Sequence, residues 1–264
     1  MLLKISHTTD YTYGAPVSYA LQRLRLTPQD NALQTVKSWQ SSVEGGTIEA
    51  RYSDQFDNLV ELVSAHRNTS AIRITATGVV ETQDKAGVLG AHRAYMPLWL
   101  YQRETALTKP GKSIRELVRG LPKSGDLDQL HKLMSVIHEK MTYITGATQT
   151  ETLAEEALTA GHGVCQDHAH VFAAGARLLG YPARYVSGYL MMDGQIEQVA
   201  SHAWAQAYID SLGWVGFDPA NDMCPDERYA YLAYGLDYKD AAPISGIRTG
   251  QGVEALAVSI TVEQ

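Results

Sequence analysis

The chain has 264 residues and a formal net charge of -7 at pH 7, and its hydrophobic and charged shares are 45% and 19%. These values exclude a disordered chain, indicate one large domain or two modest ones, and argue against nucleic acid or an anionic membrane as a partner. No apolar run approaches the roughly 20 residues that span a bilayer, and the start of the sequence lacks the layout of a signal peptide. Two cysteines do not form a disulfide framework. We therefore expect a cytoplasmic protein without membrane contact.

Alternating apolar and polar residues in the first part of the chain predict a β-rich domain over residues 1–108. Turn signals at residues 45–46, 57–58 and 84–90 separate or follow these runs. Several short strands without a helical period are typical of a sandwich or barrel-like domain. The strand-like runs are residues 2–13, 34–44, 47–53, 58–64 and 71–82. Residues 95–108 then predict an irregular connection.

Helical patterns follow from about residue 110. Ser113 and Glu116 have the spacing of a capping box at the start of a first helix, which ends near residue 120. Apolar side chains at helical spacing predict a second helix from about Asp126. Thr152 and Glu155 have capping-box spacing again, before a short third helix.

The fourth helical pattern, residues 164–179, places Cys165 at the start of a helix that follows the turn-forming Gly161 and Gly163. The N-terminal end of a helix has unpaired N–H groups and partial positive charge, which favour an anion such as a thiolate. Cys165 is therefore a candidate nucleophile. Its own backbone N–H is a candidate donor to the oxyanion of a tetrahedral intermediate.

A β-hairpin after this helix supplies the groups that such a thiol needs. Residues 200–209 alternate with a period of two, residues 210–213 form a turn, and residues 214–218 form the partner strand. The hairpin brings Asp218 near His202, so that the imidazole can take the thiol proton while the carboxylate fixes its tautomer. The register stays open, because a slip of one residue turns every side chain to the other face. Helices followed by strands predict an α+β domain over residues 109–264.

Two long motifs resemble the bacterial transglutaminase-like superfamily, whose members are distant relatives of the papain-like cysteine proteases. The motifs are GHGVCQDHAHVFAAGARLLGYPARYVSGYL, which begins at Gly161, and SHAWAQAYIDSLGWVGFDPAN, which begins at Ser201. Residues 3–13 resemble the opening of the β-rich N-terminal domain of this family, and residues 234–246 resemble its C-terminal segment. The chain departs from the family at Asp57, where glycine is common.

The resemblance implies a papain-like/transglutaminase-like α+β catalytic domain in which Cys165 is the nucleophile, His202 the base and Asp218 the orienting acid. The implied reaction is acyl transfer through a thioester, with hydrolysis of a peptide or amide bond in a peptide or protein substrate. One alternative is a transglutaminase that joins glutamine to lysine amines, and another is a non-catalytic peptide- or protein-binding module. The mechanism requires no metal or organic cofactor. The oligomeric state stays open.

Zinc is a competing interpretation of the same segment, because His162, Cys165 and His168 are three residues apart and His170 is close by. However, His168 and His170 point in different directions on a helix, and the paired ligand clusters of a structural zinc site are missing. We therefore expect both imidazoles to pack or to form hydrogen bonds, and Cys224 to be a bystander thiol.

Aromatic residues around the predicted hairpin have two interpretations each. They either frame a substrate cleft or stabilise the hairpin and core by packing. Tyr143, which precedes the nucleophile, is a candidate second oxyanion donor. The other residues are Trp204, Tyr208, Trp214, Phe217, Tyr229, Tyr231, Tyr234 and Tyr238.

Overall fold

The fold is a computed structural model that describes residues 1–250 and 252–264. The strands are β1 (Leu2–Val17), β2 (Tyr19–Leu24), β3 (Gln34–Glu44), β4 (Gly46–Ser53), β5 (Leu59–Ala65), β6 (Thr69–Thr82), β7 (Val88–Gly90), β8 (Thr142–Tyr143), β9 (His162–Gly163), β10 (Ala183–Leu190), β11 (Glu197–Gln198), β12 (His202–Ile209), β13 (Gly213–Phe217), β14 (Tyr229–Gly235), β15 (Ile244–Thr249) and β16 (Glu254–Glu263). The α-helices are α1 (Lys112–Arg119), α2 (Asp126–Lys140), α3 (Ala154–Ala160), α4 (Cys165–Leu178) and α5 (Tyr238–Ala241). A 3-10 helix, Leu98–Gln102, lies within the connection predicted to be irregular.

The first part of the molecule is a sandwich of two antiparallel sheets. One sheet has the strand order β11-β16-β1-β6-β3, and the other has the order β15-β2-β5-β4. Side chains from both sheets meet in one core, in which Ile5 and Ile74 of the first sheet pack with Leu24 and Val63 of the second. Burial alternates along β1 as a period of two requires. The sandwich is thus the architecture that the strand-like runs form.

The second part is a five-stranded antiparallel sheet, β14-β10-β12-β13-β7, covered on one face by α4. Helices α1, α2 and α3 pack around α4, whose small and apolar side chains are buried on nearly every side. Phe172 of α4 stacks on Phe217 of β13, with ring centroids 4.9 Å apart. The predicted α+β fold class is confirmed.

The sheets combine strands from both sides of residue 108, the predicted domain boundary. Strand β7 pairs with β13 of the second part, while β15 and β16 return to pair with β2 and β1 of the sandwich. Strand pairing requires neighbours in space rather than in sequence, so the chain crosses between the two parts more than once. The division at residue 108 stays a prediction.

The helix starts differ from the predicted capping boxes. Helix α1 begins after Gly111, and the carboxylate of Glu155 accepts hydrogen bonds from the backbone N–H groups of Gly111, Ser113 and Ile114. The predicted box of Ser113 and Glu116 is therefore wrong, because a carboxylate from a neighbouring helix satisfies these donors instead. Helix α3 begins after Leu153, so Glu155 does not cap its own helix as predicted.

Asp57 occupies a turn in which its φ is +67°. This left-handed region is open to glycine and is tolerated by aspartate more readily than by most residues. The oxygen Oδ1 of Asp54 accepts hydrogen bonds from the N–H groups of Phe56 and Asn58 and holds the turn. The family's common glycine is thus replaced by a residue that the turn can accept.

Within residues 1–250 and 252–264, none of the helices combines the length and apolar composition that crossing a bilayer requires.

Candidate active site

Cys165 is the first residue of α4 and is 9% exposed. Asp167 shapes this helix start, because its Oδ2 accepts hydrogen bonds from the Val164 N–H at 2.8 Å and from the Thr148 hydroxyl at 2.6 Å. Gly163 gives the carboxylate its room, since a Cβ built at Gly163 would lie 2.6 Å from the Cβ of Asp167. The thiol is therefore held at a helix N-terminus by contacts within the preceding turn.

His202, the first residue of β12, is joined to Asp218 directly after β13. Its Nε2 lies 2.6 Å from Oδ2 of Asp218, and the register of the hairpin pairs Ala205 with Phe217. Because Nε2 is engaged by the carboxylate, Nδ1 is the ring nitrogen that remains for the thiol of Cys165, which is among the causes that raise the pKa of His202. The structure brings together all three residues predicted from the sequence.

Asp218 is fully buried and receives more hydrogen bonds than the sequence indicated. Its Oδ2 also accepts from the amide of Asn221 at 2.7 Å and from the hydroxyl of Tyr229 at 2.8 Å, and its Oδ1 accepts from the Ala220 N–H at 3.0 Å. Burial raises the pKa of Asp218, but His202, Asn221 and Tyr229 outweigh it and lower the pKa below its ordinary value.

The imidazole of His202 carries the opposite shift. Burial lowers its pKa, but the charge of Asp218, the hydrogen bond between them and the interaction with Cys165 together raise it to about 10. His202 therefore holds its proton at neutral pH and presents a positive charge beside the thiol. The indole of Trp204 stacks on the imidazole at 6.1 Å and adds to its enclosure.

Tyr143 is a further side chain close to Cys165. Strand β8, which carries it, pairs in parallel with β9, so that Tyr143 stands opposite Gly163. The phenol stacks on the ring of His168 with centroids 6.2 Å apart, and it is about half exposed. Burial of the hydroxyl and the negative charge that Cys165 can carry raise the pKa of Tyr143 above its ordinary value, so the phenol keeps its proton as a donor.

The histidines near Cys165 do not gather into a metal site. His168 places its two ring nitrogens 2.9 and 3.1 Å from carbonyl oxygens of Val164 and Met141, and His170 accepts a hydrogen bond from the Tyr238 N–H. His162 faces the Ala160 carbonyl. Across the described residues, no three histidine, cysteine, aspartate or glutamate side chains are grouped as a metal would require.

Cys224 lies outside this constellation. Its Sγ is 3.4 Å from Nε2 of His131, and burial raises the pKa of the thiol to about 11. Both cysteines are free thiols.

Four of the predicted aromatic residues lie in two different places. Trp204 and Tyr229 contact His202, whereas Trp214 and Tyr234 pack around Arg184 away from the thiol. Two contacts, those of Asn221 and Tyr229 with Asp218, were not predicted. Asn221 follows Asp218 by three residues in a turn, which is a recurrent hydrogen-bonding arrangement and the one sequence signal that could have found it.

A groove of about 160 Å³ lies next to the segment that leads into His202. Residues 199–201, which precede His202, form one wall, and Tyr11, Tyr238, Leu256 and Val258 contribute to the others. The lining is mostly apolar and joins the sandwich to the second part of the molecule.

Two family models match the chain. A model of the transglutaminase-like superfamily matches residues 115–219, and a model of the bacterial transglutaminase-like N-terminal region matches residues 3–81. A crystal structure from Cytophaga hutchinsonii, described as a candidate cysteine protease, superimposes with a TM-score of 0.77 at 22% identity, over 100% of this chain and 92% of that one. This likeness supports the fold.

Similar sequences occur in several bacteria. The "Uncharacterized protein ML0607" of Mycobacterium leprae is 29% identical over 98% of this chain and 98% of its own length. The "Uncharacterized protein Rv2569c" of Mycobacterium tuberculosis is 29% identical over 92% of this chain and 86% of its own. A "Protein-glutamine gamma-glutamyltransferase" of Pseudomonas aeruginosa is 31% identical over 33% of this chain and 14% of its own length.

Proposed function

Because this chain belongs to the transglutaminase-like superfamily, we propose that it is a cysteine-dependent acyl-transfer enzyme that hydrolyses a peptide or amide bond. The observation that carries the proposal is the convergence of Cys165, His202 and Asp218, with 2.6 Å between the imidazole and the carboxylate. A non-catalytic binding module has no need of a buried carboxylate that holds a histidine beside a thiol.

The first half of the reaction forms a thioester. The thiolate of Cys165 attacks the amide carbonyl, and the new S–C bond moves the carbonyl electron pair onto oxygen. The backbone N–H of Cys165, at the helix start, is the donor to that oxyanion in this proposal. His202 then gives its proton to the leaving amine, while Asp218 keeps the imidazole oriented.

Water completes the cycle in a hydrolase. It attacks the thioester carbonyl and gives its proton to His202, the C–S bond then breaks, and the acid product leaves the Cys165 thiolate beside the protonated imidazole. Water needs no second binding site, so hydrolysis is the outcome that the three residues achieve without further recognition. Transamidation is the second candidate, and the similarity to the protein-glutamine gamma-glutamyltransferase of Pseudomonas aeruginosa favours it.

The apolar groove that residues 199–201 line supports the proposal of a peptide or protein substrate. An extended peptide that reaches Cys165 past residues 199–201 would place a side chain against Tyr11, Tyr238 and Leu256. Burial of an apolar side chain contributes about 1.5–3 kcal/mol when it is complete, so we propose a preference for an apolar residue next to the scissile bond.

The test of the nucleophile is the rate of iodoacetamide alkylation at Cys165 against pH, resolved from Cys224 by peptide mass spectrometry. We expect rapid labelling of Cys165 well below pH 8.5, the ordinary thiol value, and a large loss of rate in His202→Ala. Cys224, whose burial raises its thiol pKa to about 11, is the internal control and should label slowly in both proteins. Slow labelling of both cysteines, unaffected by the substitution, would refute the proposal that this protein is a cysteine-dependent enzyme.

The acceptor is identified with glutamine-containing peptides and a fluorescent primary amine. A hydrolase releases the acid product or ammonia without taking up the amine, whereas a transglutaminase attaches the amine to the peptide. Cys165→Ala is the blank for both reactions. If the acyl group is transferred to the amine in preference to water, the proposed reaction is transamidation and not hydrolysis.

A further inference from the structure

In the sheet β14-β10-β12-β13-β7, the face opposite α4 buries an arginine between two aromatic rings. Arg184 of β10 is 4% exposed, and its guanidinium carbon lies 4.2 Å from the ring centre of Trp214 and 4.0 Å from that of Tyr234. Aromatic faces attract a guanidinium but leave the N–H groups at its edge free to bond in the guanidinium plane.

A second buried arginine, Arg177, has hydrogen-bond acceptors for its guanidinium N–H groups and serves as a comparison. Arg177 of α4 donates to the carbonyl oxygens of Tyr101, Ala183 and Leu236 and to the hydroxyl of Thr108. Arg184 instead donates through Nε to Oε1 of Gln206 at 2.7 Å, and the hydroxyl of Tyr101 is a further polar side-chain group close to it in the described residues. In the part of the chain that the structure describes, no carboxylate forms an ion pair with Arg184.

The unpartnered edge of Arg184 adjoins a pocket of about 140 Å³. Its buried floor and walls include Phe56, Trp214, Tyr231 and Leu232. The hydroxyl of Tyr231, which also lines the pocket, is buried and has no hydrogen-bond partner among the described residues. The uncompensated donors at the pocket therefore come from Arg184 and Tyr231.

We propose that this pocket binds a small organic monocarboxylate with a flat apolar body, whose carboxylate pairs with Arg184. A guanidinium keeps its charge, and a buried charge without a partner is costly, so an anion is the ligand that compensates it. A carboxylate also matches the planar edge of a guanidinium. The cavity volume is close to that of a cavity that holds benzene, which sets the size of the body.

The rim of the pocket narrows the class of anion further. Asp30 and Asp57 stand on the exposed rim with Arg93, so the entrance carries negative as well as positive charge. Two carboxylates repel a dianion such as phosphate more strongly than a monoanion. Cys165, His202 and Asp218 are not among the residues that line this pocket. The proposed binding site is therefore independent of the proposed reaction.

The experiment is an NMR titration of the uniformly ¹⁵N-labelled full chain with sodium benzoate. The chain has four tryptophans, and the indole N–H signal of Trp214 is assigned from its loss in Trp214→Phe. We expect a saturable shift of this signal with a Kd of about 1 mM or tighter, and no shift of the Trp39 signal from the sandwich. Benzamide, which has the same shape without the charge, should bind more than about tenfold more weakly.

Two variants test whether the carboxylate binds at Arg184 and Tyr231. Arg184→Met should abolish benzoate binding, and Tyr231→Phe, which keeps the ring and removes the unpartnered hydroxyl, should weaken it several-fold even if Arg184→Met does not fold. Equal affinity for benzamide, absence of a saturable shift at Trp214, or undiminished binding in Tyr231→Phe would overturn the proposal. Stronger binding of inorganic phosphate at Trp214 would overturn the monocarboxylate class.

Discussion

Asp218 shows how one buried residue can organise a site. Four groups contact its carboxylate: the imidazole of His202, the amide of Asn221, the hydroxyl of Tyr229 and the backbone N–H of Ala220. Hydrogen bonds to the charged form of an acid compensate its desolvation and keep it ionised. The ionised carboxylate in turn stabilises the protonated imidazole.

Replacing Asp218 by asparagine should therefore lower the reactivity of the Cys165 thiol. Without the negative charge the pKa of His202 falls from about 10, and the imidazolium no longer supports a thiolate at Cys165. We expect Asp218→Asn to slow alkylation of Cys165 at pH 6 by at least about tenfold and to lower turnover on the order of 10³-fold or more. Asp222→Asn, an exposed neighbour that bonds to Ser135, is the matched control and should label at the wild-type rate.

The hydroxyl of Tyr229 should set the acid limit of the site. Tyr229 lowers the pKa of Asp218, so Tyr229→Phe raises that pKa and protonates the carboxylate at a higher pH. The acid limb of the Cys165 alkylation profile should move up by as much as about 1 pH unit. Tyr101→Phe, which removes a buried hydroxyl without a hydrogen-bond partner in the described residues, should leave the limb in place. A downward movement in Tyr229→Phe would contradict the assigned role.

Local patterns were enough to predict Cys165, His202 and Asp218, because a helix start and a short hairpin place them. The contact of Tyr229 with Asp218 has a different origin. Tyr229 begins β14, which reaches the site only by pairing with β10. A row of tyrosines in the sequence gives no indication of which hydroxyl faces the acid.

At the scale of single elements, the start of α4 depends on the absence of a side chain at Gly163. A methyl group there would meet the carboxylate arm of Asp167, which bonds to Val164 and Thr148. We expect Gly163→Ala to lower the free energy of unfolding by about 1–3 kcal/mol, as measured by urea denaturation. Gly125→Ala, at the N-cap of α2, has nothing within 4 Å of the new Cβ and should cost only the modest loss of a preferred capping residue, less than Gly163→Ala. Equal effects of the two changes would refute the steric argument.

The β8–β9 pair gives Tyr143 a fixed place beside Cys165. If its hydroxyl donates to the oxyanion together with the Cys165 N–H, Tyr143→Phe should lower kcat about tenfold or more and leave KM nearly unchanged. The reaction measured is acyl transfer from p-nitrophenyl acetate. Tyr95→Phe, at an exposed tyrosine outside the site, is the control. A change confined to KM would indicate that Tyr143 contacts the substrate without stabilising charge.

Elements fixed by neighbouring residues were predicted better than elements fixed at a distance. The hairpin of β12 and β13 and the helix that starts at Cys165 follow from local periodicity and turns. Strand β2 is only six residues long and was not predicted. The cap of α1 was predicted wrongly because its carboxylate comes from Glu155, about forty residues further along the chain.

At the scale of the whole molecule, two histidines couple the fold to pH. His7 of β1 contacts the hydroxyls of Tyr189 and Thr9, and His170 lies inside α4. Burial lowers the pKa of each imidazole to about 4, against an ordinary value of 6.5. Both stay neutral in the folded protein while the unfolded chain binds protons below pH 6.5, so their contribution to stability is complete above pH 6.5 and is lost as pH falls towards 4.

The free energy of unfolding should therefore fall between pH 7 and pH 5 by about 2 kcal/mol for each of these imidazoles. His202 acts in the opposite direction, because its raised pKa adds stability that is lost as pH rises through 10. Urea denaturation at the two pH values measures the slope. His7→Gln should remove about half of it. His66→Gln, at an exposed histidine, should leave the slope unchanged, and a slope unaffected by His7→Gln would contradict the burial argument.

The pairing of β1 with β16 has a consequence for synthesis on the ribosome. Lys4 lies opposite Glu263 in this ladder, so the edge of β1 is covered by residues made some 250 positions later. At 5–20 residues per second, the chain between β6 and β16 takes roughly 10–35 s to emerge. For that interval the nascent sandwich carries an open strand edge, the kind of surface that pairs with other chains. Slowing translation after β6 should lengthen that exposure and increase the need for chaperones.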